Sequence, residues 1–86
     1  MIDIIYPHVF IRKFQRLETN VQEEVQQKIH LFKDRKNHEL LKVHKLHGKF
    51  RDQFSFSINY KFRIAFRYIS KNEVLFLDID DHDMYR

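Results

Sequence analysis

The spacing of apolar residues changes period along the chain, and each change marks a predicted element boundary. Ile2 to Tyr6 is a short apolar run interrupted by Asp3 and closed by Pro7, which predicts a first strand. Phe10, Phe14 and Leu17 then recur four and three residues apart, with Arg12, Lys13 and Arg16 between them. That spacing predicts one apolar stripe on a helix of about three turns. A second helix is predicted from TNVQEEVQQKIHLF, where Thr19 and Gln22 make a capping-box pattern. Val21, Val25, Ile29 and Phe32 carry its apolar face to about Lys33.

Residues 34–48 lose this periodicity and read as a connection with short structure in it, ending at Gly48, the only glycine. From Phe50 the period becomes two. Phe50, Phe54, Phe56, Ile58 and Tyr60 fall on one face, and Arg51, Gln53, Ser55, Ser57 and Asn59 on the other. After a short break Phe62, Ile64, Phe66 and Tyr68 alternate with Arg63, Ala65 and Arg67. Ser-Lys-Asn at 70–72 supplies a turn, and Val74 to Ile79 is apolar on both faces until Asp78, as in a central strand. The order β-α-α-β-β-β predicts an α+β fold in one domain spanning residues 1–86. A helical hairpin is expected to pack on the apolar face of a small antiparallel sheet.

Composition fits a single small core. Nine phenylalanines and four tyrosines stand in 86 residues with no tryptophan, so a few large rings are expected to fill the interior. The absence of cysteine excludes disulfides and thiolate chemistry and suits a cytoplasmic location. No apolar run approaches the roughly 20 residues that span a bilayer, so no membrane association is expected. The N-terminus, with an early acid and no basic stretch before its apolar run, does not read as a signal peptide.

Charge is distributed unevenly. Residues 40–69 carry seven Lys/Arg against one Asp, a net of +6, whereas residues 70–86 carry two against five, a net of −3. A basic block of this kind points to a polyanionic partner or to a lysine-rich surface that meets water. The polar strand face with Arg51, Ser55, Ser57, Arg63 and Arg67 is open to the same two readings.

No phosphate-binding loop, dinucleotide glycine motif, nucleophile elbow or Cys/His zinc pattern is present. Among six histidines, His8 and His30 fall on predicted helices and His38 in the charged connection, all read as structural. His44 and His47 form an H-x-x-H pair, but no further ligand pattern supports a metal there, and no cofactor is expected. Cutting RNA without a metal needs a base for the ribose 2′-OH, an acid for the leaving 5′-oxygen and fixed cations beside phosphorus. Histidine can supply either proton step near neutral pH, arginine can bind phosphate in bidentate fashion, and tyrosine can stack on a base. His82 and Tyr85 past the last strand, Arg63 on the middle strand, and Lys45, His47, Lys49 and Arg51 around Gly48 are the candidates.

The C-terminal half, LLKVHKLHGKFRDQFSFSINYKFRIAFRYISKNEVLFLDIDDHDMYR, resembles the RelE/ParE superfamily of bacterial toxins. The family's K-L-x-G turn matches Lys45-Leu46-His47-Gly48. Its S-I-x-x-x-x-R-I-x-F strand pair matches Ser57-Ile58 and Arg63-Ile64-Ala65-Phe66, and its closing D-I-x-x-H-x-x-x-Y/F segment is approximated by Asp78 to Tyr85. The terminal histidine and aromatic are most similar to the YafQ and HigB-like branches.

This resemblance implies a type II toxin held by a cognate acidic antitoxin. Most such toxins are ribosome-dependent, metal-independent mRNA endoribonucleases that cut through the 2′-OH. It further implies His82 as general acid or base, Arg63 on the scissile phosphate and Tyr85 orienting or stacking on a base. Lys45, His47, Lys49, Arg51 and Arg67 would contact phosphate. A ParE-like toxin that inhibits DNA gyrase without cutting RNA is the alternative, as is a catalytically degenerate RNA-binding homologue. The sequence departs from the pattern around His82, where Asp80 and Asp81 stand in place of residues that are often small and neutral, with Asp83 immediately after the histidine. These carboxylates favour an imidazolium, which suits an acid, yet they repel RNA phosphate.

Overall fold

The computed structural model describes residues 1–48 and 52–81. Strand β1 (Asp3–Ile5) leads through Pro7 into helix α1 (His8–Gln15), and helix α2 (Thr19–Phe32) follows after a three-residue break. Pro7, with φ −65° and ψ 156°, lacks an N–H that the first turn would leave unbonded, and its carbonyl accepts from Ile11 N–H at 3.0 Å. A 3₁₀ turn (Arg35–Asn37) then precedes strands β2 (His44–Lys45), β3 (Phe54–Ser57), β4 (Phe62–Ser70) and β5 (Glu73–Asp81). The sheet order is β1-β5-β4-β3-β2, and β2 through β5 pair antiparallel, as the sequence pattern predicts for the last three strands. Strand β1 instead joins β5 in parallel, so the sheet is mixed. Among the described residues, no helix is long and apolar enough to cross a membrane.

The capping box is not made. Glu18 occupies the N-cap of α2 without a side-chain bond, and the Gln22 side chain reaches back to α1 instead. It donates to the Phe14 carbonyl at 3.0 Å, which also accepts from Leu17 N–H, and to the Gln15 carbonyl at 3.3 Å, at the end where a helix lacks its own donors. This contact staples the hairpin. Gln22→Ala is therefore expected to cost about 1 kcal/mol of unfolding free energy. Thr19→Ala, which would cost about as much if the box existed, is expected to cost little. Urea denaturation of both variants separates the two accounts.

Phe32 sits at the centre of the core, fully buried. It stacks on Phe56 at 4.4 Å between ring centroids and meets the edges or faces of Phe66 at 4.9 Å and Phe76 at 5.8 Å. On its other side lies the His38 ring, stacked at 4.7 Å, whose Nε2 is 2.8 Å from the Phe32 carbonyl. His38 is thus part of the core wall, in keeping with its structural reading. Val25, Ile29, Ile58, Ile64, Val74 and Ile79 complete the layer between helices and sheet.

Strand β3 stops at Ser57, and Tyr60, which the alternation puts on the core face, is 93% exposed. Asn59 accounts for the break. Its side-chain oxygen accepts from Lys61 N–H and Phe62 N–H, both at 2.8 Å, and its amide donates to Glu24 at 2.8 Å. An asparagine that bonds the backbone two residues on offers it a turn in place of the sheet ladder.

Candidate functional site

The helices cover one face of the sheet, and the residues that carry chemistry gather on the other. Strand pairing places side chains of paired residues on a common face. One row on the helix-free face runs His44, Ser55, Ala65, Asp78 across β2 to β5, and the next runs Ser57, Arg63, Asp80 across β3 to β5. Arg67, two residues beyond Ala65 on the regular strand β4, extends this face and is exposed, while Arg63 is half-buried. Ser55 and Ala65 are both fully buried, so the middle of this face is not the solvated platform that alternation alone suggests.

A bulge decides what stands beside Arg63. The β4–β5 register passes from Ala65↔Asp78 to Phe66↔Phe76, leaving Leu77 as an extra residue on β5. Unbroken alternation would put Asp78 and Asp80 on the core side with Val74 and Phe76. The inserted residue reverses the parity, so Ile79 enters the core and both carboxylates turn to the face of Arg63. Lys13 of α1, the helix that packs on β5, reaches them with Nζ 2.7 Å from Asp78 Oδ1 and 3.4 Å from Asp80 Oδ2, so this face is clear of helices over β2 to β4 but not at β5. The hydrogen bond to Asp78 raises the Lys13 pKa above the ordinary lysine value. Asp78 and Asp80 each also accept a backbone N–H at 2.9 Å, from Ile79 and Asp81 respectively.

His44 is held by its own backbone. Lys42 adopts a left-handed conformation (φ 59°) that ends the turn after Asn37, with Val43 N–H bonded to the His38 carbonyl and Lys42 N–H to the Glu39 carbonyl. The Lys42 carbonyl then lies 2.8 Å from His44 Nδ1. A carbonyl only accepts, so Nδ1 carries the proton, and the neutral ring presents Nε2 as a base. Nε2 is 3.5 Å from Ser55 Oγ, a long contact that orients the ring weakly.

No protein-family model matches the sequence, and no curated protein matches it. Solved structures do match. A chain of the RelBE toxin–antitoxin complex from Mycobacterium tuberculosis superposes with a TM-score of 0.71 over 94% of this chain and 98% of that one, at 16% identity. A chain of the YoeB–YefM complex from Staphylococcus aureus gives 0.71 over 95% and 98%, at 14% identity. A YafQ variant from Escherichia coli gives 0.66 over 98% and 97%, at 12% identity. This chain has the RelE-like toxin fold.

On this RelE-like fold the residues singled out from sequence do not all share one face. Arg63 and Arg67 stand together on the helix-free face. Lys45 is paired with Phe54, whose ring packs against Phe66 and Tyr68, so Lys45 stands on the opposite face of the edge strand. His47 is exposed just past Leu46, whose N–H bonds the Gln53 carbonyl at 2.8 Å. Lys49, Arg51, His82 and Tyr85 lie outside the described residues. Strand β5 is described to Asp81, which pairs with Phe62 one position from Arg63.

His44, weighed from sequence only as half of a metal pair, is the addition the fold makes to the helix-free face. Among the described residues no group of three His, Cys, Asp or Glu side chains could hold a metal ion. The H-x-x-H spacing drew attention to His44, but only the pairing of His44 with Ser55 gives it a face.

Proposed function

We propose that the protein is the toxin of a type II toxin–antitoxin system and cleaves mRNA on the ribosome without a metal, using the 2′-OH as nucleophile. The observation that carries this reading is the helix-free face of a RelE-like fold, where Arg63 and Arg67 lie on one strand and His44 presents Nε2 from the edge. His44 and Arg63 are two strands and one pleat apart, about 12 Å between backbones. Their side chains can therefore approach one phosphate from two sides.

In this mechanism a base takes the proton of the 2′-OH, and the O2′–P bond forms as the P–O5′ bond breaks. An acid protonates O5′, leaving a 2′,3′-cyclic phosphate and a 5′-hydroxyl. His82 and His44 are the proton-transfer pair, Arg63 neutralises the phosphate oxygens, and Tyr85 orients a base. Arg67, with His47, Lys49 and Arg51 around the Gly48 turn, guides the RNA backbone, whereas Lys45 faces the other side of the edge strand and takes no part in that path.

The partner is an acidic antitoxin drawn to the basic middle of the chain. Leu40 (72% exposed) and Tyr60 (93%) offer it apolar anchors beside Lys28 and Lys42. The solved RelBE and YoeB–YefM structures are complexes of toxin with antitoxin.

Programmed ribosomes with a defined codon in the A site test the reading. Wild type is expected to cut the message and leave a cyclic phosphate. His82→Ala and His44→Ala are each expected to slow cleavage about a hundred-fold or more. Message left intact by the wild type, with supercoiling by DNA gyrase inhibited instead, would replace the nuclease by a gyrase poison.

A further inference from the structure

The aspartates of the closing segment pose an electrostatic problem for any site that binds phosphate. Asp80 is paired in register with Arg63, and Asp78 lies two residues away on the same face. Left uncompensated, the two carboxylates would more than cancel one guanidinium and would repel the anion it is meant to hold.

Lys13 is the residue that meets them. It comes from α1, 65 residues earlier in the chain than Asp78, and touches both carboxylates at 2.7 and 3.4 Å. The shorter contact is well shielded, because the Asp78 side chain is 17% exposed, whereas Asp80 is 48% exposed. Both aspartates also take a backbone N–H, which fixes the direction in which their oxygens point.

We propose that Lys13 is a positioning residue of the phosphate site, holding Asp78 and Asp80 and cancelling part of their charge on the face that carries Arg63. The role rests on the reading of that face as an RNA site. It assigns to the first helix a function in RNA binding that the terminal motif alone does not suggest. It also gives the departure at Asp80 a compensating partner elsewhere in the chain.

The test measures binding of a short 2′-O-methyl RNA oligonucleotide, which cannot be cut through its 2′ position, by fluorescence anisotropy at several salt concentrations. Lys13→Met is expected to bind about ten-fold more weakly at low salt, the effect of exposing one net negative charge several ångströms from a phosphate. The deficit is expected to shrink as salt rises, since added ions increasingly screen charges at a partly exposed site. Lys13→Arg keeps the charge and is expected to bind as wild type does.

The triple variant Lys13→Met, Asp78→Asn, Asp80→Asn is expected to recover wild-type affinity or exceed it. If the triple variant stays weak, Lys13 touches RNA directly or only supports the fold, and the proposal is overturned. Unchanged binding by folded Lys13→Met overturns it equally, while leaving the nuclease reading intact. A wild type that binds no RNA at any salt concentration removes the site itself, and the role of Lys13 with it.

Discussion

Arg63→Ala is expected to lower RNA cleavage on programmed ribosomes by about a hundred- to a thousand-fold, the usual cost of removing one preorganised donor from a developing oxyanion. The side chain is half-buried on β4, between Ser57 on one neighbouring strand and Asp80 on the other, so the sheet restricts where its guanidinium can go. Such restriction means that little ordering remains to be done when phosphate arrives. A planar fork also offers two parallel N–H bonds to the phosphate oxygens, which an ammonium cannot. Arg63→Lys is accordingly expected to fall between wild type and alanine, with most of its loss in the rate at saturating ribosome. Arg67→Ala, on the exposed end of the same face, is expected to weaken binding more than rate. Single-turnover cleavage alongside a thermal melt checks these outcomes. Near-normal cleavage by a folded Arg63→Ala variant would remove Arg63 from the reaction.

Phe32→Ala is expected to destabilise the fold by about 3–5 kcal/mol, as for other large rings cut from a packed core. The ring is fully buried, packs on three other phenylalanines and carries His38 on its outer side. No neighbour can fill the gap without breaking one of those contacts. Small domains have about 5–15 kcal/mol of total stability, so this loss takes up a large share of it. Phe32→Leu keeps most of the volume and is expected to cost distinctly less. Urea denaturation measures both, and a loss below about 1 kcal/mol for the alanine variant would mean that the core rearranges around the site. The same change removes the surface on which His38 stacks. The His38 carbonyl bonds Val43 N–H, so the loop ahead of His44 is expected to loosen as well.

The elements that were legible from sequence are those whose signal is local. Val25, Ile29 and Phe32 face the core because a helix repeats every 3.6 residues. Ile64 and Phe66 do so because a strand repeats every two. Local signals failed where a distant group offered a better partner. Thr19 and Gln22 are spaced for a capping box, yet Gln22 bonds the last carbonyls of α1 that the hairpin brings beside it. Tyr60 continues the alternation of β3, yet the Asn59 side chain takes the backbone N–H groups that would extend the strand.

The candidate site follows the same division. Arg63 could be assigned to the polar face from alternation alone, because β4 is regular through that position. His44 and Lys45 are adjacent in sequence and lie on opposite faces. Which of them shares the face of Arg63 depends on the register of a two-residue strand against β3. The aspartates depend on the bulge at Leu77, which no periodicity announces.

By itself, then, the sequence determined the order of both helices and of every strand but the two-residue β2, the aromatic core and the arginine-bearing face, since each is written in a repeat of two to four residues. The tertiary structure alone decided the parallel docking of β1, the facing of His44 and the meeting of Lys13 with Asp78 and Asp80. These are contacts between residues far apart in the chain or choices of register. Their free energies depend on which surfaces the folded chain brings together, and no short window of sequence contains that information.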